Sequence, residues 1–137
     1  MRVFLDANVL FSAAHMTTGS PRALFKVAAA GACQLLTSEY AAEEARRNIA
    51  LKQPRVITEL AALVDRVAFV GEPSAASVSW AMSLGLPAKD APIMAAAVEA
   101  RCHLLVTGDV THFGALFGAR HRGTVVLRPA DAIALLI

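Results

Sequence analysis

The sequence predicts a three-layer α/β/α sandwich with a mostly parallel central sheet. Short apolar runs recur at 3–5, 33–36, 67–70, 103–106 and 124–127. Continuous runs of that length suit strands buried on both faces of a parallel sheet. Between them lie longer stretches, many rich in alanine, whose apolar residues return at helical spacing, and strands alternating with helices are the mark of βα units. Glycine, proline and small polar residues punctuate the boundaries.

The first run, Val3-Phe4-Leu5, ends abruptly in Asp6. In parallel sheets ligands gather outside the carboxyl ends of the strands, so an acid there is a candidate site residue. Asp6 could equally cap the segment that starts near Asn8. Ser20-Pro21 then signals a helix, with serine as N-cap and proline at the first helical position, and Ala23, Leu24, Val27 and Ala28 follow on one face. Gly31 stops it. After the 33–36 strand, Thr37-Ser38 supplies a second N-cap for a helix over 39–49. Its acids come early and its bases late, as the helix dipole favours.

Pro54 breaks that helix, and an amphipathic segment over 55–65 places Val56, Leu60, Leu63 and Val64 on one face. The 67–70 strand and a loop lead to a short helix over 74–84, closed by Gly85. Asp90 with Pro92 is another helix start. The 103–106 strand terminates in Thr107-Gly108-Asp109, and the last strand, 124–127, precedes a terminal helix after Pro129.

At 137 residues the chain has the size of one domain, 1–137, able to bury about two thirds of its unfolded surface. No run of about 18 uninterrupted apolar residues is present to span a bilayer, and the start lacks the pattern of a secretory signal. The expectation is a soluble, cytoplasmic protein with no membrane partner. Cys33 and Cys102 lie far apart without zinc-ligand spacing and read as buried thiols. The adjacent Cys102-His103 pair is a poor nucleophile and base, since chain neighbours rarely face each other. The net charge of +2 is too small to announce nucleic acid by itself.

Acids carry the chemical argument. Asp6 and Asp109 each follow an apolar strand, so neighbouring strands would bring them to one edge. A helix that leads into the strand before Asp109 has its N-terminus on that same edge, which adds Asp90. Glu44 would reach in from the helix after Ser38, with Glu39 and Glu43 as competitors on other faces. Carboxylates about 4 Å apart repel by roughly 4 kcal/mol at an effective dielectric of 20. A divalent cation removes that conflict, and oxygen ligands suit Mg²⁺ or Mn²⁺. Such ions serve metal-dependent nucleases and phosphatases. Thr107 and Asn8 are supporting candidates, to hold a water or donate to a phosphate. His112, beside Phe113, reads as a packed loop histidine just beyond the site. Each acid also has a structural reading: Asp90 as a helix cap, Asp109 as a turn residue and Glu44 as a surface glutamate.

The chain resembles the PIN-domain nucleases, which include the VapC-type toxins of bacterial toxin–antitoxin pairs. The resemblance rests on 3–10 at the start, Ser38-Glu39-Tyr40 with Glu44-Ala45-Arg46-Arg47, Asp90 opening an alanine-rich helix, and Leu105-Val106-Thr107-Gly108-Asp109 with His112-Phe113. It implies that Asp6, Glu44, Asp90 and Asp109 form the acidic quartet of a Mg²⁺- or Mn²⁺-dependent endoribonuclease. It selects Glu44 over Glu43, because the family's glutamate precedes a small residue and arginines. His112 stands where relatives often carry another acid or polar residue, so one bound ion is the expectation. A homodimer and a cognate antitoxin are implied in the same way, and the amphipathic pattern over 41–63 offers a groove for an antitoxin helix.

Arg46, Arg47, Lys52, Arg55 and Lys89, with Arg120, His121 and Arg122 further on, are candidates for a basic rim that grips RNA phosphates. One tyrosine and one tryptophan give little platform for base stacking. Three other readings compete. An aspartyl-phosphate phosphatase would want an acid two residues after Asp6, where Asn8 stands. A PIN-domain nuclease or RNA-processing protein could lack any toxin role. A PIN-like binding module without catalysis would have lost its acids, and all four are present.

Overall fold

A computed structural model describes all residues, 1–137. Its sheet has six strands in the order β3-β2-β1-β4-β6-β5: β1 (Arg2–Leu5), β2 (Gln34–Ser38), β3 (Ala68–Val70), β4 (Leu104–Val106), β5 (Arg120–His121) and β6 (Thr124–Leu127). Every pairing is parallel except that of β5 with β6. The eight helices are α1 (Ala7–His15), α2 (Ser20–Ala29), α3 (Glu39–Lys52), α4 (Ile57–Val64), α5 (Ala75–Ser83), α6 (Ala91–Glu99), α7 (Val110–Phe113) and α8 (Pro129–Leu136).

The predicted α/β/α sandwich is the observed fold. β1 is flanked by β2 on one side and β4 on the other. Strands before the β3 to β4 crossover build outward on one side of β1, and later strands build outward on the other. With right-handed crossovers, that reversal sends helices to both faces. It also opens a crevice between the carboxyl ends of β1 and β4, the place where open α/β sheets hold ligands.

The central strands are apolar because both faces are covered. Val3, Phe4, Leu5, Leu105 and Val106 are fully buried. Alanine accounts for much of the high apolar content and has a packing role. Ala41, Ala42 and Ala45 on α3, and Ala95, Ala96 and Ala97 on α6, are buried and let these helices approach the sheet and their neighbours closely. No helix is long and apolar enough to cross a membrane.

Five elements differ from the sequence reading. Gly19, at φ 99°, takes the N-cap of α2, and Ser20 is the first helical residue, with Pro21 after it. β2 extends to Ser38, because Thr37 and Ser38 pair with Phe69 and Val70. Ser38 thereby ends a strand and caps α3 at once, its Oγ accepting from the Ala41 amide at 3.2 Å. Segments 7–15, 110–113 and 120–121, not assigned from sequence, are α1, α7 and the antiparallel β5.

Candidate metal centre

Asp6 is the only residue between β1 and α1. Its amide donates to the Val106 carbonyl at 3.0 Å, which ties it to β4 before the chain turns into the helix. The side chain is 4% exposed and accepts three hydrogen bonds. Oδ1 takes the Ala7 amide at 2.7 Å, and Oδ2 takes the Thr107 hydroxyl at 2.8 Å and the Asn8 amide at 3.1 Å. Capping and membership of the acidic cluster are therefore the same placement. Burial pushes the carboxyl up to about 6, against the pull of these donors, and the Glu44 and Asp90 carboxylates add to the rise.

Asn8 and Thr107 lock this corner. The Asn8 amide donates to Asp6 Oδ2 and to Thr107 Oγ at 3.1 Å, and its Oδ1 accepts the Gly108 N–H at 2.8 Å. Thr107 Oγ also accepts the Asp109 N–H at 3.1 Å. Both side chains are thus engaged in joining the end of β1 to the end of β4, with their donors directed at protein atoms. A Cβ at Gly108 would sit 3.4 Å from Asn8 Oδ1, at the near end of ordinary contact.

Asp90 and Asp109 enter from the other side of the crevice. Asp90 precedes α6 but makes no side-chain cap, so it is not held there by capping. Its Oδ2 is buried, accepts no well-formed hydrogen bond, and lies 3.1 Å from His112 Nδ1. Burial raises its carboxyl; the Asp109 charge raises it further, and His112 and Lys89 oppose the rise. Asp109 caps α7 through Oδ1 on the His112 amide at 3.0 Å, and its Oδ2 is 2.7 Å from His112 Nδ1. Burial would raise this carboxyl, but the His112 amide and ring outweigh it and hold it below the usual range.

Ligand atoms of Asp90, Asp109 and His112 all lie within 4.8 Å of one another. His112 is therefore part of the acidic cluster and not a packed loop residue outside it. The signal was its spacing: three residues after Asp109, on one turn of α7, the side chain returns to the face of its cap.

Glu44 is half-buried on α3 and forms no hydrogen bond or ion pair; its charge reaches Asp6. Its competitors are turned away. Exposed Glu39 and Glu43 hold Arg46 at 2.6 and 3.6 Å. Tyr40, one turn before Glu44, donates its hydroxyl to the Lys89 carbonyl at 2.6 Å and so fastens α3 to the segment that delivers Asp90. Burial raises the Tyr40 hydroxyl, as do the neighbouring Glu44 and Asp90 charges. Sequence reading missed that strut.

The basic candidates divide. Arg47 and Lys89 lie near the acids, since Arg47 acts on Tyr40 and Lys89 on Asp90. Arg46 belongs to the outer face, with Glu39. Lys52 follows Glu44 by eight residues, roughly 12 Å along the helix axis, and Arg55 lies in the 3-10 turn beyond. Both lie farther along the chain from Glu44 than Arg47 does, and neither pairs with an acid of the cluster. Arg122 does not join the rim either: β5 runs back from the crevice, and Arg122 lines a cleft with Arg101, Cys102 and His103 at the start of β4.

Two carboxylates and an imidazole that converge, with a third carboxylate beside them, suit a divalent cation. Asp90 Oδ2 is buried with no well-formed hydrogen bond and only the His112 ring nitrogen at 3.1 Å beside it, so a cation there would offset the cost of burying its charge.

A family model for the PIN domain matches residues 2–111. Among solved structures, the chain is similar to one in VapBC2 from Rickettsia felis bound to a DNA fragment from their promoter, with TM-score 0.71 and 15% identity over 93% of this chain and 98% of that one. It is also similar to a chain of VapBC-1 from nontypeable Haemophilus influenzae, with TM-score 0.63 and 16% identity over 95% and 99%. A chain of FitAcB from Neisseria gonorrhoeae gives TM-score 0.59 and 21% identity over 93% and 98%. No curated protein matches the sequence. These likenesses describe the fold, while the family match covers most of the chain: the protein belongs to the PIN-domain family.

Proposed function

We propose that the protein is a Mg²⁺- or Mn²⁺-dependent endoribonuclease and the toxin of a toxin–antitoxin pair. The observation that carries the nuclease reading is the convergence of Asp90, Asp109 and His112 beyond the end of β4, with Asp6 at the neighbouring end of β1 close enough to feel the Asp90 and Glu44 charges. Asp6, Asp90 and Asp109 would hold the cation, and Glu44 completes the acidic quartet from α3. A cation held there would supply positive charge for the developing charge on a phosphodiester and would lower the pKa of a water.

The chain's own residues set the frame for that chemistry. Asn8 and Thr107 fix the Asp6 carboxylate through both oxygen and nitrogen contacts, so its aim does not depend on side-chain freedom. His112 holds Asp109 from the backbone and the ring together. The Tyr40 strut keeps Glu44 and Asp90 at a fixed separation. Arg47 and Lys89 are the cations placed to meet RNA phosphates at the edge of the acidic pit.

The toxin reading draws on the likeness to the VapBC and FitAcB chains and on one surface. Between α3 and α4 a cavity of about 350 Å³ is lined by Ile49, Ala50, Ile57, Leu60, Ala61 and Val64, with Arg46 and Asp65 at its margin. An apolar trough with charged margins suits the apolar face of an antitoxin helix. A homodimer is the proposed assembly.

The test is incubation of labelled single-stranded RNA with the purified protein in Mg²⁺, in Mn²⁺ and in chelator, alongside Asp6→Asn and Asp109→Asn. Cleavage in either metal, absent in chelator and reduced at least 100-fold in both variants, is the expected outcome. Cleavage that persists in chelator, or survives both substitutions, overturns the metal-nuclease reading.

A further inference from the structure

At the end of the sheet opposite the acids, a cleft of about 340 Å³ is lined by Arg101, Cys102, His103, Arg122 and Gly123. β4 separates this cleft from the acidic centre, and the span from His103 to Thr107 is about 13 Å. Both arginines adopt the left-handed backbone conformation, Arg101 at φ 56° and Arg122 at φ 49°. No other non-glycine residue of the chain does so.

Each position has a backbone role for which arginine is a poor choice. Arg101 is the left-handed residue that ends α6: its amide donates to Val98 and the next amide, Cys102, to Ala97. Glycine is the usual residue there, with asparagine second. Arg122 and Gly123 form the two-residue loop between β5 and β6 with positive φ at both, where Asn-Gly or Gly-Gly is favoured. Local backbone preference explains neither arginine. Strain at a non-glycine residue persists where something other than the backbone selects it, and here both cases open onto one cleft.

The charges in the cleft are free to act. Neither guanidinium forms an ion pair or a hydrogen bond within the protein. Arg122 lies 4.2 Å over the Trp80 ring, which orders its plane without consuming its charge. His103 Nδ1 accepts the Arg2 amide at 2.9 Å, so the ring proton resides on Nε2 as a further donor. The lining thus offers two forked cations and an imidazole N–H, with no carboxylate among its residues.

We propose that this cleft is a second, metal-independent site that binds a phosphate group through Arg101, Arg122 and His103. Planar guanidinium forks match phosphate oxygens in bidentate fashion, which distinguishes the site from a diffuse basic surface. The phosphate belongs either to an RNA backbone, giving the strand a hold distant from the acids, or to a free nucleotide. The inference does not rest on the nuclease reading, because no acid of the metal centre takes part.

The test uses the full chain in chelator, which silences the acidic centre as an anion site. Binding of inorganic phosphate and of AMP is followed by phosphorus NMR line broadening, and binding of a labelled 12-nucleotide single-stranded RNA by fluorescence anisotropy. The variants are Arg101→Gly and Arg122→Asn, singly and together; each supplies a residue better suited to its backbone conformation. The expected result is at least a tenfold loss of binding in the double variant, while Arg101→Gly raises the melting temperature by about 3 °C. Loss confined to RNA assigns the site to the phosphodiester backbone; loss with AMP and phosphate as well assigns it to a terminal phosphate. Unchanged binding of all three probes in the double variant overturns the proposal.

Discussion

The burial of Asp6 ties its ionisation to the proposed cation. Its carboxyl titrates near 6 in the folded chain and at the ordinary 3.8 when unfolded. Between those values the folded protein binds the extra proton, so metal-free stability attributable to this group falls as pH rises from about 4 to 6. A cation that binds the carboxylate removes the penalty. The gain in melting temperature from 5 mM Mn²⁺ is therefore expected to be larger at pH 7 than at pH 5, measured by calorimetry against chelator; an equal gain at both pH values contradicts the assignment. Asn8 has a different function. Asn8→Ala deletes both amide donations and the acceptor for Gly108, and is expected to cost about 1–3 kcal/mol in urea unfolding. At this scale the three aspartates were readable in the sequence because each stands at a strand end or a helix start, places the topology gathers. For His112 the only signal was its three-residue spacing from Asp109, and its approach to Asp90 depends on a four-residue helix too short to leave a hydrophobic period. The full engagement of Asn8 and Thr107 with each other was not readable, because it follows from the β1/β4 register across about a hundred residues of chain.

Helix α3 performs several tasks with separate faces. Its buried alanines and Ile49 pack inward, Glu44 and Tyr40 face the acids, and Glu39, Glu43 and Arg46 interact outside. The sequence separated Glu44 from Glu43 only through the family resemblance; the ion pair of Glu43 with Arg46 supplies the physical reason. Everything on the helix depends on its first turn, where Ser38 caps the Ala41 amide. Ser38→Ala is expected to lower stability by about 1 kcal/mol, read as a shift in the urea midpoint with an unchanged slope. The α2 start shows how such local signals can be displaced. Ser20-Pro21 marked the right helix, but a left-handed glycine before it took the cap. Sequence patterns located elements by what they bury and were less able to fix the terminal residue, which depends on the entering chain.

The whole molecule is organised by one reversal of strand order, and both proposed sites lie at the ends of the same central strands. The metal centre occupies the carboxyl ends of β1 and β4, and the basic cleft occupies the opposite ends. Sequence reading placed Arg122 with the acids because it follows Asp109 closely. The antiparallel β5 undoes that proximity by carrying the chain back across the sheet. The fold class was legible because buried parallel strands leave continuous apolar runs, whereas a two-residue edge strand such as β5 leaves almost none.

The pairing of β1 directly with β4 also imposes an order in time. Val3 pairs with Leu104, so β1 waits for about a hundred further residues of synthesis before its second neighbour exists. Asp6 can meet Asp90 and Asp109 only after β4 has been synthesised and has cleared the ribosome. At roughly 5–20 residues per second, that interval lasts about 5–20 s. A nascent chain arrested while β4 is still within the exit tunnel should show no Mn²⁺-dependent protease protection, and one arrested after β6 has emerged should show it. A ribosome making this protein is thus separated from an assembled acidic cluster on its own nascent chain until β4 has followed β1 out of the tunnel.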